Sequence, residues 1–122
     1  MIGDMLAQKV MAVIGVSPNT QKYGWIVYHN LKSRGYRVYA VNPNYSEVGG
    51  DPCYASVGDL PETPDVVVTV VPPAVTRQTV QQALGIGVKR FWMQPGSEDA
   101  EAIAAAEAAG AEVVHHECVM MH

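Results

Sequence analysis

Apolar and polar residues follow one another along this chain in blocks, and the period within the blocks switches repeatedly. The run from Lys9 to Gly15 is continuously apolar after its first residue and stops at glycine, the pattern of a central parallel strand buried on both faces. From Gly24 to Ser33 the residues Trp25, Ile26, Val27, Tyr28 and Leu31 recur at helical spacing, and Arg34-Gly35 supplies a basic last turn and a stop. Tyr36 to Val41 is β-branched and aromatic and ends at Asn42-Pro43, because proline cannot continue a ladder. The stretch Asn44 to Pro64 contains Gly49-Gly50, Asp51-Pro52, Pro61 and Pro64, so it is expected to be connection with one helical turn near Val57 to Leu60.

The second half repeats the rhythm. Asp65 to Val71 is the most strand-like run, and Pro72-Pro73 stops it. A helix follows from Ala74 to Leu84, with Val75, Thr79, Val80 and Ala83 on one face, and Val88 to Met93 makes the fourth strand. Ser97, followed by Glu98 and Asp99, reads as the cap of an alanine-rich helix that Gly110 closes. Glu112 to His115 is the fifth strand. Strands alternating with helices at this spacing force right-handed parallel crossovers. The expected fold is one α/β domain over residues 1–122, a doubly wound five-stranded parallel sheet in the order 3-2-1-4-5.

Composition narrows the possible partners. With 48% apolar and 16% charged residues in 122, the chain is an ordinary globular one. Its formal charge of -4 and eight scattered Lys and Arg residues provide no footprint for a nucleic-acid backbone. No apolar run approaches the roughly 20 residues of a membrane span, and Met1 to Lys9 has no signal-peptide pattern, so a cytoplasmic protein without membrane partners is expected. Cys53 and Cys118 are too few for a disulfide framework and are expected to be buried or semi-buried thiols.

In an open doubly wound sheet the ligand crevice lies beyond the carboxyl ends of the strands, where strand order reverses. Four punctuated loops meet there: Gly15 to Gly24, Asn42 to Tyr45, Val71 to Thr76, and Gln94 to Ser97. The first joins a strand to a helix and can aim backbone amides at a phosphate, with hydroxyls from Ser17 and Thr20 and charge from Lys22. Ser17 stands where a dinucleotide fingerprint has its second glycine, and no Gly-Lys-Ser/Thr follows, so the loop is neither fingerprint nor Walker loop. Asn42 occupies the position where an NAD site places an acid for the ribose hydroxyls. A phosphorylated ribose is tolerated without that acid, and coenzyme A carries one. Pro72-Pro73 offers a rigid face without N–H groups, and Gln94-Pro95-Gly96-Ser97 combines an amide side chain with another helix start.

Catalytic chemistry is harder to find. Ser17 and Ser97 lie in binding loops while the histidines concentrate at the C-terminal end, so no Ser-His-Asp set assembles, and no catalytic residue is expected. His115, His116, Glu117, Cys118 and His122 are metal-ligand types, but adjacent strand residues face opposite sides and cannot share an ion unless the chain turns. No metal site is expected. Trp25 and Trp92 read as core anchors and His29 as a surface or packing residue.

Taken together, Val13-Ile14-Gly15-Val16-Ser17, Lys22-x-Gly24, Gly35-Tyr36-x-Val38, Val41-Asn42-Pro43, Trp92-Met93-Gln94-Pro95-Gly96 and Cys118 resemble the small stand-alone CoA-binding domain proteins. Those are similar to the N-terminal, Rossmann-like domain of the succinyl-CoA synthetase alpha subunit. The resemblance implies binding of coenzyme A or an acyl-CoA at the carboxyl edge of the sheet, as a non-catalytic binding or regulatory module. It implies phosphate contacts from Gly15, Val16, Ser17 and Lys22, and nucleotide contacts from Asn42, Pro43, Val71, Pro72 and Pro73. Gln94, Gly96 and Ser97 complete the expected site. The family often carries a lysine just after the Asn-Pro turn, where Asn44 and Tyr45 stand here. A charged hydrogen bond of that kind contributes about 1.5–3 kcal/mol. The alternatives are a small NAD(P)- or acyl-CoA-dependent enzyme and a subunit of a larger CoA-ligase-like complex; a homodimer or other protein partner stays open.

Overall fold

The computed structural model describes residues 1–122. Seven strands and four helices follow in the order α1 (Ile2–Leu6), β1 (Val10–Ile14), α2 (Tyr23–Ser33), β2 (Arg37–Val41), β3 (Glu47–Val48), β4 (Asp51–Tyr54), β5 (Val66–Thr69), α3 (Pro73–Gly85), β6 (Arg90–Met93), α4 (Ala100–Ala108) and β7 (Glu112–His115). Single 3₁₀ turns at Val57–Asp59 and Val119–Met121 complete the chain. No helix is long and apolar enough to cross a membrane.

The sheet order is β3-β4-β2-β1-β5-β6-β7, and every pairing is parallel except β3 with β4. This corrects the expected five strands and their order. The strand beside β2 is Asp51–Tyr54, which pairs Cys53 with Ala40 and Tyr54 with Val41. The Val66–Thr69 strand instead lies on the other side of β1. Counting only parallel strands, the order becomes the Rossmann 3-2-1-4-5-6, with its reversal between β1 and β5. The stretch expected to be mere connection hides a hairpin: Gly49 and Gly50, with φ of 56° and 87°, make the two-residue turn that folds β4 back on β3. Tyr28 and Lys32 of α2 anchor this hairpin, both donating to Asp51 Oδ2, at 2.8 and 2.6 Å. Those donors hold the Asp51 carboxyl below the usual range, Lys32 most strongly.

Burial follows the strand period. Along β1, Met11 and Val13 enter the apolar layer beneath α1 and α2, while Ala12 and Ile14 enter the layer beneath α3 and α4. The first layer also holds Met5, Val27, Tyr28, Leu31, Trp92 and Val119, and the second holds Val67, Val80, Phe91, Ala102 and Ala106. Trp92 is a core anchor as expected; Trp25 lies at the margin, stacked on the exposed His29 with ring centroids 5.8 Å apart. Cys53 is buried and Cys118 half-buried, both as free thiols.

The start of α4 corrects the expected cap. Asp99, not Ser97, is the N-cap, accepting from Ala102 N–H at 2.9 Å. A cap needs a side-chain oxygen within reach of the first-turn amides, and the Ser97 hydroxyl is turned inward onto Thr69 and Gln94. Arg77 of α3 donates twice to Asp99, at 3.0 and 2.8 Å, tying α3 to α4. The guanidinium first and the Ala102 amide second lower the Asp99 pKa to about 2. A carboxyl depressed in this way contributes stability that is complete above its unfolded value of about 3.9 and disappears as pH falls through about 2. The native protein should therefore be more stable than Asp99→Asn at pH 7, with the two urea midpoints converging between pH 4 and pH 2. A gap that persists undiminished at the acid end would assign the difference to something other than this charge.

Candidate functional site

At the carboxyl edge of the sheet, the ends of β1, β2 and β5 and the first turn of α2 surround an open cavity of about 490 Å³. Its walls are Gly15, Ser17, Asn19, Lys22, Tyr23, Gly24, Asn42, Asn44, Tyr45, Val70, Val71 and Pro72. It occupies the reversal point between β1 and β5, where doubly wound sheets bind their ligands.

Two glycines let the backbone come this close. Gly15 has φ of 101°, and a side-chain carbon there would collide with the Val70 carbonyl oxygen and lie 2.7 Å from Val71 Cγ1. A carbon on Gly24 would collide with the Gly15 carbonyl oxygen, because α2 begins directly against the end of β1. The loop between them closes on itself: Asn19 N–H donates to Ser17 Oγ, Gln21 N–H to Asn19 Oδ1 and Lys22 N–H to the Asn19 carbonyl. Lys22 is the N-cap position of α2 and no side chain caps the helix, so the first-turn N–H groups keep their capacity for an acceptor. These donors, the positive end of an 11-residue helix and the Lys22 ammonium together suit an oxyanion.

The rim formed by β2 is neutral. Asn42 Nδ2 donates to the Val16 carbonyl at 3.0 Å, and its Oδ1 accepts from Asn44 N–H at 3.0 Å. This bracing locks the β1–α2 loop to the end of β2. Pro43 lies one step further, in a smaller cavity of about 190 Å³ shared with Ile14, Val41, Val57, Val75 and Gln82.

Of the twelve residues expected at the site, the structure brings Gly15, Ser17, Lys22, Asn42, Val71 and Pro72 to one cavity. Val16 is fully buried in the core, Pro43 lines the neighbouring cavity, and Pro73 is the first residue of α3. Gln94, Gly96 and Ser97 stand apart from these walls. Gln94 is 1% and Ser97 2% exposed. Ser97 Oγ donates within the fold, to the Thr69 and Gln94 carbonyls, while Gln94 donates to Cys118 Sγ at 3.3 Å and accepts from Val119 N–H at 2.7 Å. Asn19, Tyr23, Gly24, Asn44, Tyr45 and Val70 join the cavity in addition to the expected contacts; all six lie within or next to the loops that the turn-forming residues marked.

The C-terminal segment does turn where a shared histidine site would require it. His116 takes φ of 61°, which brings its Nδ1 within 2.6 Å of His115 Nδ1. Glu117 instead pairs with His122 at 2.7 Å, and no three ligand-type side chains converge. Cys118 Sγ lies 4.0 Å from Tyr23 Oη, so the tail touches the cavity wall through that tyrosine.

Known proteins share both the sequence and the fold. The chain is 34% identical over 123 residues to acetate–CoA ligase (ADP-forming) I of Archaeoglobus fulgidus, an alignment covering 93% of this chain and 18% of the ligase. A hypothetical protein from Pyrococcus horikoshii superposes with a TM-score of 0.94 at 39% identity, covering 98% of this chain and 85% of that one. A conserved hypothetical protein from Pyrococcus furiosus gives 0.87 at 43% identity, covering 93% and 97%. The CoA binding domain family matches residues 9–122, from the first residue before β1 to the end of the tail, and the chain belongs to that family.

Proposed function

We propose that the protein binds coenzyme A or an acyl-CoA in the cavity at the carboxyl edge of the sheet and acts as a binding or regulatory module without chemistry of its own. The observation that carries this is the uncapped first turn of α2, with Lys22 beside it, opening into a cavity at the strand-order reversal. The diphosphate sits against the α2 amides, Ser17 and Lys22. Asn42, Val71 and Pro72 line the path of the nucleotide, with Pro43 in the adjoining cavity and Gly15, Val16 and Pro73 shaping the backbone around it. Gln94, Gly96 and Ser97 support the site from the β6 side.

Calorimetric titration with CoA, acetyl-CoA, NAD and ATP tests the reading. Heat and saturation with a CoA species support it; silence with both CoA species removes it. Lys22 enters no ion pair and its side chain is exposed, so Lys22→Ala should leave the thermal midpoint unchanged. Losing one charge-assisted hydrogen bond to phosphate is worth about 1.5–3 kcal/mol, or roughly 10- to 150-fold in affinity. Unchanged affinity would put the phosphates elsewhere.

A second reading, a component of a larger CoA ligase, is favoured by the ligase alignment, which takes in nearly all of this chain but a small part of the enzyme. Recovery of acetate–CoA ligase turnover on adding this chain to a ligase lacking the matching segment would support it, and no recovery would count against it.

A further inference from the structure

We infer that the cavity reads the diphosphate and leaves the ribose phosphate unread, so that CoA lacking its 3′-phosphate binds as well as CoA itself. This deepens the CoA reading above and rests on it.

The inference comes from an accounting of positive charge. Of the 12 residues lining the cavity, Lys22 alone is charged. The other cations are engaged or distant. Lys32 pairs with Asp51 at 2.6 Å, and Arg77 with Asp99 at 2.8 Å. Arg90 pairs with Asp4 at 3.1 Å. Lys9, Arg34 and Arg37 line a separate cavity at the amino ends of β1 and β2, the opposite edge of the sheet, and Lys89 immediately precedes β6 on that same edge. One cation and one helix N-terminus complement a single diphosphate.

In a doubly wound sheet the nucleotide's ribose lies at the end of the second strand. Here that position holds Asn42, Asn44 and Tyr45. Asn42 is closed onto the Val16 carbonyl and the Asn44 amide. Asn44 is neutral, and Tyr45, 40% exposed, presents an aromatic ring. A ring face packs against a sugar or base but does not neutralise a phosphate. A ribose phosphate at this rim keeps its water and gains no affinity from the protein, since exposed charges left hydrated contribute little.

Calorimetry of the full chain with CoA and dephospho-CoA decides the matter. The expected result is dissociation constants within fivefold of each other; a preference for CoA beyond fivefold overturns the inference while leaving the CoA reading standing. Tyr45→Lys, at an exposed loop position, should create a preference for CoA of about tenfold or more, the worth of one charged hydrogen bond to phosphate. An unchanged ratio in that variant would place the ribose away from the end of β2 and overturn the inference. Absence of binding by either compound overturns the CoA reading and this inference with it.

Discussion

Gly15→Ala should destabilise the protein by about 2–6 kcal/mol and abolish ligand binding at ordinary concentrations. Two costs combine. A non-glycine residue at φ of 101° is strained, worth about 1–3 kcal/mol. The new methyl also has no room: it would run into the Val70 carbonyl oxygen and Val71 Cγ1, and overpacking against rigid backbone costs about 1–3 kcal/mol more. The nearest obstructing atom, the Val70 carbonyl oxygen, belongs to the backbone leaving β5, which is hydrogen-bonded to β1 through Val70 N–H and the Ile14 carbonyl at 2.9 Å. Relief requires β1 and β5 to part at the reversal point, and the phosphate-facing loop moves with them. Since whole domains are stable by only about 5–15 kcal/mol, the variant should show a large drop in its urea midpoint with an unchanged slope. A loss below about 1 kcal/mol would mean that the loop relaxes freely, and the glycine would then be serving the turn alone.

Much of this architecture is legible in the chain because its strongest signals are local. β1 is a continuous apolar run buried on both faces, and β7 lies where the expected Glu112–His115 strand does. The cavity walls come from loops rich in glycine, proline, asparagine and serine, which the sequence marks directly. β4 was illegible for a physical reason: it contains Pro52 and begins at Asp51, both poor strand residues, and it persists because it needs only two parallel pairs to β2 and the Gly49-Gly50 turn to hold it. Without β4, a five-strand count leaves only the Val66–Thr69 strand for the place beside β2, which puts it on the wrong side of β1. Helix α1 carries no legible signal either; five residues have too little periodicity, and its stability comes from Met5 packing fully into the core. Gln94 shows the remaining limit, because spacing reveals that a polar residue follows a strand but not which way its side chain turns.

The direction Gln94 takes leads to the second large effect. Beside the Trp92 Nε1–Glu117 carbonyl bond at 2.8 Å, its amide ties the end of β6 to the C-terminal tail: the oxygen accepts from Val119 N–H at 2.7 Å and the nitrogen donates to Cys118 Sγ at 3.3 Å. Gln94→Ala leaves a buried Val119 N–H without a partner and opens a void beside the core, together costing about 2–4 kcal/mol. Gln94→Met, close in volume, removes the hydrogen bonds while filling the space and should lose about 1–3 kcal/mol, which apportions the two contributions in urea titrations of both variants. The tail so held carries Cys118, whose sulfur touches Tyr23 on the cavity wall, so Gln94 can act on the ligand through packing alone. If it does, folded Gln94→Met binds CoA with a smaller loss than Lys22→Ala. An equal or larger loss would show that the ligand contacts the Gln94 side chain itself, and that the β6 loop opens to admit it.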